Sequence, residues 1–361
     1  VTGVQTCALP IWGLLEMDQM ETIGLVMTSS LDSLITDSSP GASSWATGNK
    51  SNNNWHGVFP DNTGPANSAN ALLLDRNPDT LGPYIDNPRV ENIAEFLQRT
   101  QRMSTGVVST VAVTDSTPAA FSSHAIRYAQ TNIAEQMLMS GHSVILGGGA
   151  KYFLPEKSPT LKNIPSARVD GRNVVDDFKK AGYTFASNSA ELKTAAKSDK
   201  ILGLFQGAEM ASRYDRMRAQ AGNSSGKEAV GQFPDQPTLE FMTQVALNVL
   251  SRNSNGFFLM VEAGSIDREL HRMDPNRAVM ELIELDKAIG GREGRIRDLL
   301  GRTDDFLTEA NATTAEFDRA LTALASTSQL LQERQTTIDA ALRDVRPAAK
   351  GLRELTPDLT Q

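Results

Sequence analysis

Three stretches carry side chains whose types and spacing could do chemistry together. The first, TDSSPGASSWATGNK (Thr36–Lys50), follows an apolar run and sets Asp37 and Ser38 just ahead of Pro40. Pro near the first helical position marks a helix start. A serine there lies at the positive helix end, where backbone N–H groups stabilise an anion. Its hydroxyl becomes a nucleophile toward phosphate if a neighbour lowers its pKa. Asp and Ser ahead of a helix also serve as plain N-caps, and this segment alone favours the cap.

The second stretch is VAVTDSTPAAFSSHAIR (Val111–Arg127). Asp115 and Thr117, at the C-terminal end of an apolar run, offer hard oxygen ligands to Mg²⁺. Arg127 supplies a planar fork suited to two phosphate oxygens. A strand-to-helix turn with a surface arginine would read the same way. The third stretch is GFFLMVEAGSIDRELHRMD (Gly256–Asp274). Asp267 and His271 project from one helix face, a spacing that suits two ligands of one zinc. Glu262, at the end of the apolar run, could reach a neighbouring magnesium. A capped helix with an exposed acid–histidine pair fits these residues equally well.

The elements that must position these residues alternate. Gly106–Val113, Ser143–Gly148, Gly256–Val261 and the earlier Ile23–Met27 are short apolar runs rich in β-branched or aromatic residues, and they read as buried strands. Val90–Gln101, Asn132–Gly141 and Leu239–Asn253 carry helical spacing between them. Strand and helix in alternation predict an α/β fold with a mostly parallel sheet between helices. Asn49–Gly64 and Ala219–Pro237 are polar and rich in Asn, Gly and Pro, and they read as loops.

Composition narrows the function. The 361 residues carry a formal net charge of −8 with no basic block, which argues against nucleic acid as the main partner. Four histidines exclude a histidine-rich metal centre, so any metal site must lean on carboxylates and hydroxyls. One cysteine excludes an intrachain disulfide. The early apolar run Cys7–Leu15 is too short for a membrane span and lacks the basic flank of a signal peptide.

Two end pieces differ from the middle. Residues 1–12, VTGVQTCALPIW, show no clean period and resemble a translated sequencing adaptor, a non-native leader. After Gly290–Gly291 the composition changes: every Met, His and Trp lies before that point. Apolar and small positions from Ile296 through Leu300, Leu307, Phe317, Leu324, Leu331, Ile338 and Val345 follow steps of four and three, a heptad seam that ends before Pro347. A continuous helix there would be a rod about 75 Å long. This tail, 291–361, resembles the helical tails of the mammalian-cell-entry family of envelope lipid-transport proteins.

The middle of the chain, from about Leu15 to Ile289, resembles the alkaline phosphatase family. The matching pieces occur in order: LEMDQM, GLVMTSSLDSLITDSS, WATGNK, FPDNT, NPRVENIAEFL, DSTPAAFSSH, ILGGGAKYFLP, PDQPTLEFM, GFFLMVEAGSIDRELH and ELIELDKAI. The resemblance implies an alkaline-phosphatase-like α/β domain over 13–290 and hydrolysis of phosphate monoesters through a phosphoserine. Ser38 would be the nucleophile and a zinc ligand, and Asp37 would position the arginine. Asp115, Thr117 and Glu262 would hold Mg²⁺, Asp267 and His271 would hold Zn²⁺, and Arg127 would clamp the phosphate. A two-zinc clamp would stabilise the attacking and leaving oxygens. In the family the arginine follows the histidine of the TPAA segment by four residues, whereas Arg127 follows His124 by three.

The family's remaining ligands have no counterpart in the pattern. Nothing in VTGVQTCALPIW supplies the aspartate that precedes the LEMDQM region. The Arg-rich heptad tail stands where an Asp-His pair and a final His would follow. The expectation is a domain truncated at both ends with impaired phosphatase activity. The family also implies a periplasmic or secreted location and pairing of two copies, and the tail adds coiled-coil self-association. The rival from another class is a non-catalytic envelope or interaction protein working through that tail. A sulfatase is disfavoured, since Ala42 stands where its signature needs Arg, and no G-x-S-x-G elbow surrounds Ser38.

Overall fold

The computed structural model describes residues 28–59, 88–161 and 164–290. The leader 1–12, the Ile23–Met27 run and the heptad seam lie outside the described residues. Among the described residues seven strands occur in chain order: β1 (Trp55–His56), β2 (Ser104–Ala112), β3 (Ala125–Ile126), β4 (Val144–Gly148), β5 (Thr184–Ala186), β6 (Ile201–Leu204) and β7 (Phe257–Glu262). Five of them form one sheet in the order β5-β6-β4-β2-β7, with every neighbouring pair parallel.

The central strands are built of apolar and small residues because both faces are covered. Val107, Ile145 and Leu202 point into one layer with Ile133, Met137 and Phe178. Their chain neighbours Val108, Val144, Leu146 and Ile201 point into the other, with Leu192, Leu239, Met242, Val245 and Leu250. The first layer is roofed by the Gln130–Met139 and Val174–Lys180 helices, the second by Ser189–Ala195 and Leu239–Leu250. Side chains alternate with the two-residue period of a strand, so one central strand supplies both cores.

Connectivity places the functional end. From β2 the chain moves to β4 on one side, and later returns through the Leu239–Leu250 helix to β7 on the other side of β2. Neighbouring strands whose connections depart in opposite directions leave a crevice at their C-terminal ends, where ligands bind in open α/β sheets. Asp115 and Thr117 follow β2 there, and Glu262 closes β7.

The structure corrects two loop readings, the first being Asn49–Gly64, which contains β1. Ala219–Pro237 is not wholly loop: Ser224–Val230 is a helix whose N-cap Asn223 accepts from the Ser225 and Gly226 N–H groups. Gly226 looked like a turn residue but is a packing residue. A Cβ there would lie 2.4 Å from Ala219 N, so glycine lets this helix pack tightly against the end of Arg213–Gln220.

Candidate active site

Ser38 opens the Ser38–Thr47 helix and is exposed. Asp37 is indeed its N-cap, with Oδ1 accepting from Ser39 N–H at 2.6 Å. That cap consumes one first-turn donor, and Pro40 brings none, so the helix end itself offers an anion little beyond the Ser38 N–H. Ser39 is buried and its Oγ donates to Ser116 Oγ at 2.9 Å. Of the two adjacent serines, Ser38 is the one that faces out.

Asp37 is held from a second side by the Asn-rich run. The Asn54 N–H donates to Asp37 Oδ2, and Asn53 Oδ1 accepts the Asp37 N–H at 3.2 Å. The same run leads into β1, which pairs antiparallel with β3 through Trp55↔Ile126 and His56↔Ala125. Arg127 follows β3 directly, its N–H bonded to Asn54 O at 2.8 Å. A strand pair, not a continued helix, therefore delivers the arginine. Arg127 Nη1 stands 3.3 Å from Asp37 Oδ1 and Nη2 stands 3.4 Å from Asp115 Oδ1. The three-residue spacing from His124 still brings the guanidinium to Asp37.

Asp115 caps the Ser116–Ala120 helix through Ser116 N–H at 2.8 Å. Its other oxygen, Oδ2, accepts from Arg268 Nη2 at 2.8 Å, and the same nitrogen lies 2.9 Å from Glu209 Oε1. Acids and arginines thus alternate as Asp37, Arg127, Asp115, Arg268, Glu209. Glu262 accepts from Ser109 Oγ at 2.6 Å. Burial pushes its carboxyl up from the usual range, against hydrogen bonds from Ser109 and Thr117 that pull it down. Gly264 makes the turn after β7: a Cβ there would lie 2.8 Å from Val111 Cγ1. The Ser265–His271 helix then carries Asp267 and His271, whose side chains are 74% and 78% exposed and 3.5 Å apart.

A cavity of about 830 Å³ collects these groups. Asp37, Ser38, Asp115, Thr117, Arg127, Glu262, Asp267 and His271 all line it, joined by Arg268 and Arg272. The residues come from three separate stretches, and the ends of β2 and β7 hold most of them. The sequence matches the family model described as alkaline phosphatase over residues 12–308.

The chain belongs to the alkaline phosphatase family. It is 30% identical over 328 residues to an alkaline phosphatase of Gadus morhua, covering 83% of this chain and 61% of the relative. It is 29% identical over 303 residues to a membrane-bound alkaline phosphatase of Bombyx mori, covering 76% of this chain and 50% of the relative. A solved variant of the alkaline phosphatase of the Antarctic bacterium TAB5, with magnesium bound in its M3 site, superposes with a TM-score of 0.61 at 25% identity. That match covers 82% of this chain and 70% of the TAB5 chain. The chain spans about half the length of the curated relatives it matches.

The donor set can be tested against the metals of an alkaline phosphatase. Asp115, Thr117 and Glu262 offer only hard oxygens at the rim of two adjacent parallel strands, which fits magnesium. Asp267 and His271 offer one oxygen and one nitrogen from a single helix face, which fits a partial zinc site. Among the described residues no three of His, Cys, Asp and Glu stand close enough to hold a metal. The lining carries four carboxylates against three guanidiniums, so a phosphate dianion would meet excess negative charge unless cations were added.

Sequence reasoning missed Arg268, Asn53 and Asn54. Arg268 had a visible signal, since it directly follows Asp267 in SIDRELH and shares its strand-end turn. The asparagines were absorbed into a loop assignment. Their signal was the run of three between two motifs, with Asn54 adopting a left-handed backbone that asparagine tolerates.

Proposed function

We propose that this chain hydrolyses phosphate monoesters by phosphoryl transfer to Ser38. The observation that carries the reading is the convergence of eight motif residues from three separated stretches on one cavity, with Ser38 exposed at its helix end. Kinship with the alkaline phosphatases supports it.

The roles follow from placement. Arg127 binds two phosphate oxygens through its fork, and Asp37 fixes that fork by accepting from Nη1. Asp37 also fixes the backbone of Ser38 by capping its helix, so nucleophile and clamp are referenced to one carboxylate. Arg268 adds positive charge on the far side of Asp115. Ser38 Oγ attacks phosphorus, the P–O bond to the leaving alcohol breaks, and a phosphoserine forms. Water attack on phosphorus then breaks the Ser38 Oγ–P bond and releases inorganic phosphate.

Asp115, Thr117 and Glu262 would hold magnesium. Asp267, His271 and Ser38 would contribute to zinc. Bound cations would supply charge neutralisation of the dianion and a lowered pKa for the serine hydroxyl. With two donors from the Ser265–His271 helix, zinc would be held weakly, and we propose that hydrolysis by this chain is correspondingly slow. The same kinship supports a periplasmic or secreted location and pairing of two copies. No helix among the described residues is long and apolar enough to cross a membrane.

The test is hydrolysis of p-nitrophenyl phosphate by the purified chain with added Zn²⁺ and Mg²⁺, alongside Ser38→Ala. Metal-dependent turnover that Ser38→Ala abolishes is expected. Turnover that survives chelation, or survives Ser38→Ala, would sink the reading.

A further inference from the structure

Ser109 sits in β2 directly opposite Glu262 of β7 in the parallel ladder, so the two side chains leave the same face of the sheet. It is fully buried in a strand otherwise filled by valines and small residues. A hydroxyl in that setting costs free energy unless it is bonded. Ser109 Oγ accepts the Val111 N–H at 3.1 Å and donates to Glu262 Oε2 at 2.6 Å. The first bond occupies a lone pair, which leaves the single hydroxyl proton aimed at the carboxylate. Glu262 itself lines the cavity, while Ser109 lies behind it. No step of phosphoryl transfer uses Ser109.

We infer that Ser109 is a positioning residue for Glu262. It pins Oε2 against the sheet and, together with the hydrogen bond from Thr117 in the cavity lining, holds the carboxylate in one orientation as a ligand for a hard divalent cation. The inference rests on the reading of Glu262 as a metal ligand. Physically, a carboxylate left free to rotate about its last bond can bind a cation with either oxygen or both. Fixing one oxygen removes that freedom before the metal arrives, and outer-shell partners of this kind change metal affinity by roughly 10- to 100-fold.

The experiment uses the full chain stripped of metal by chelation and titrated with Mn²⁺ alone, with free Mn²⁺ read by electron paramagnetic resonance. Ser109→Ala should weaken Mn²⁺ binding about 10-fold, and Ser109→Cys, which keeps the shape but donates poorly, should weaken it in the same sense. Ser109→Thr should restore affinity to within about twofold, which a purely packing role would not produce, since the added methyl group enters a buried strand. Ser109→Ala and Ser109→Cys binding Mn²⁺ as tightly as wild type would overturn the positioning role while leaving Glu262 as a ligand. Glu262→Gln binding as tightly as wild type would instead remove Glu262 from the metal site, and the inference would fall with that part of the phosphatase reading.

Discussion

Two clusters of acids and arginines behave differently. In the cavity, Asp37, Asp115 and Arg127 are each roughly one-fifth exposed, and the acids share guanidinium contacts of 3.3 and 3.4 Å. Between the Arg213–Gln220 and Pro275–Ile289 helices, Glu284 is fully buried. Its Oε2 accepts from Arg216 Nη2 at 2.5 Å and its Oε1 from the Leu239 N–H at 2.8 Å. Nearby Glu281 accepts from the Arg213 N–H, and burial pushes its carboxyl up to about 7. Both oxygens of Glu284 are spent on protein, so this cluster ties helices together. The oxygens of Asp37 and Asp115 also have protein partners, but the Arg127 guanidinium is held by long contacts of 3.3 and 3.4 Å and the cluster opens onto the cavity, so its donors can still take on an anion. Density of charge does not mark a site; charge with valence left over and a path to solvent does.

Substitutions can break this contrast, and the largest effect is expected at Ser38, the proposed nucleophile. Ser38→Ala should lower kcat/KM for p-nitrophenyl phosphate by about 10⁴-fold or more while leaving the melting temperature near wild type. Glu284→Ala should do the reverse. It leaves the buried Arg216 charge without its partner and should lower stability by about 3 kcal/mol, measured by urea unfolding. Arg127→Ala comes next, with a loss of about 100-fold in kcat/KM from removing the proposed phosphate clamp, read in steady-state kinetics.

The smallest effect is a pH dependence in the buried cluster. The raised Glu281 carboxyl keeps a proton in the folded chain that the unfolded chain has given up. Its contribution to stability is therefore complete below the unfolded value near 4.5 and is lost as pH rises through about 7. Glu281→Gln should thus gain on wild type by roughly 2 kcal/mol between pH 5 and pH 8, seen in melts at both pH values, with hydrolysis unchanged. An equal gain at both pH values would contradict the assigned cause.

What the sequence made legible follows from the range of the interactions involved. β2, β4 and β7 announce themselves because strands covered on both faces are built of apolar and small residues. The motif residues at their C-terminal ends were readable for the same reason, as each follows its strand by a few residues. β1 and β3 were not readable: each has two residues and exists only through its pairing with the other. That pairing carries Arg127 to Asp37, so the mechanism of its placement was hidden even though the residue was found. The Ser224–Val230 helix was hidden because Gly226, which serves close helix packing, and the exposed Ser224 and Ser225 have the composition of a turn. Ser109 looked like one more small residue in a strand until the ladder register set it opposite Glu262.

The central claim is that Ser38 takes the phosphoryl group. It is tested most directly by acid-quenching the chain during turnover of a phosphate monoester with Zn²⁺ and Mg²⁺ present, then mapping phosphorylated peptides by mass spectrometry. Phosphate on Ser38, absent from Ser38→Ala, is the expected result. Turnover with no phosphoserine, or with phosphate on Ser39 instead, would contradict the account.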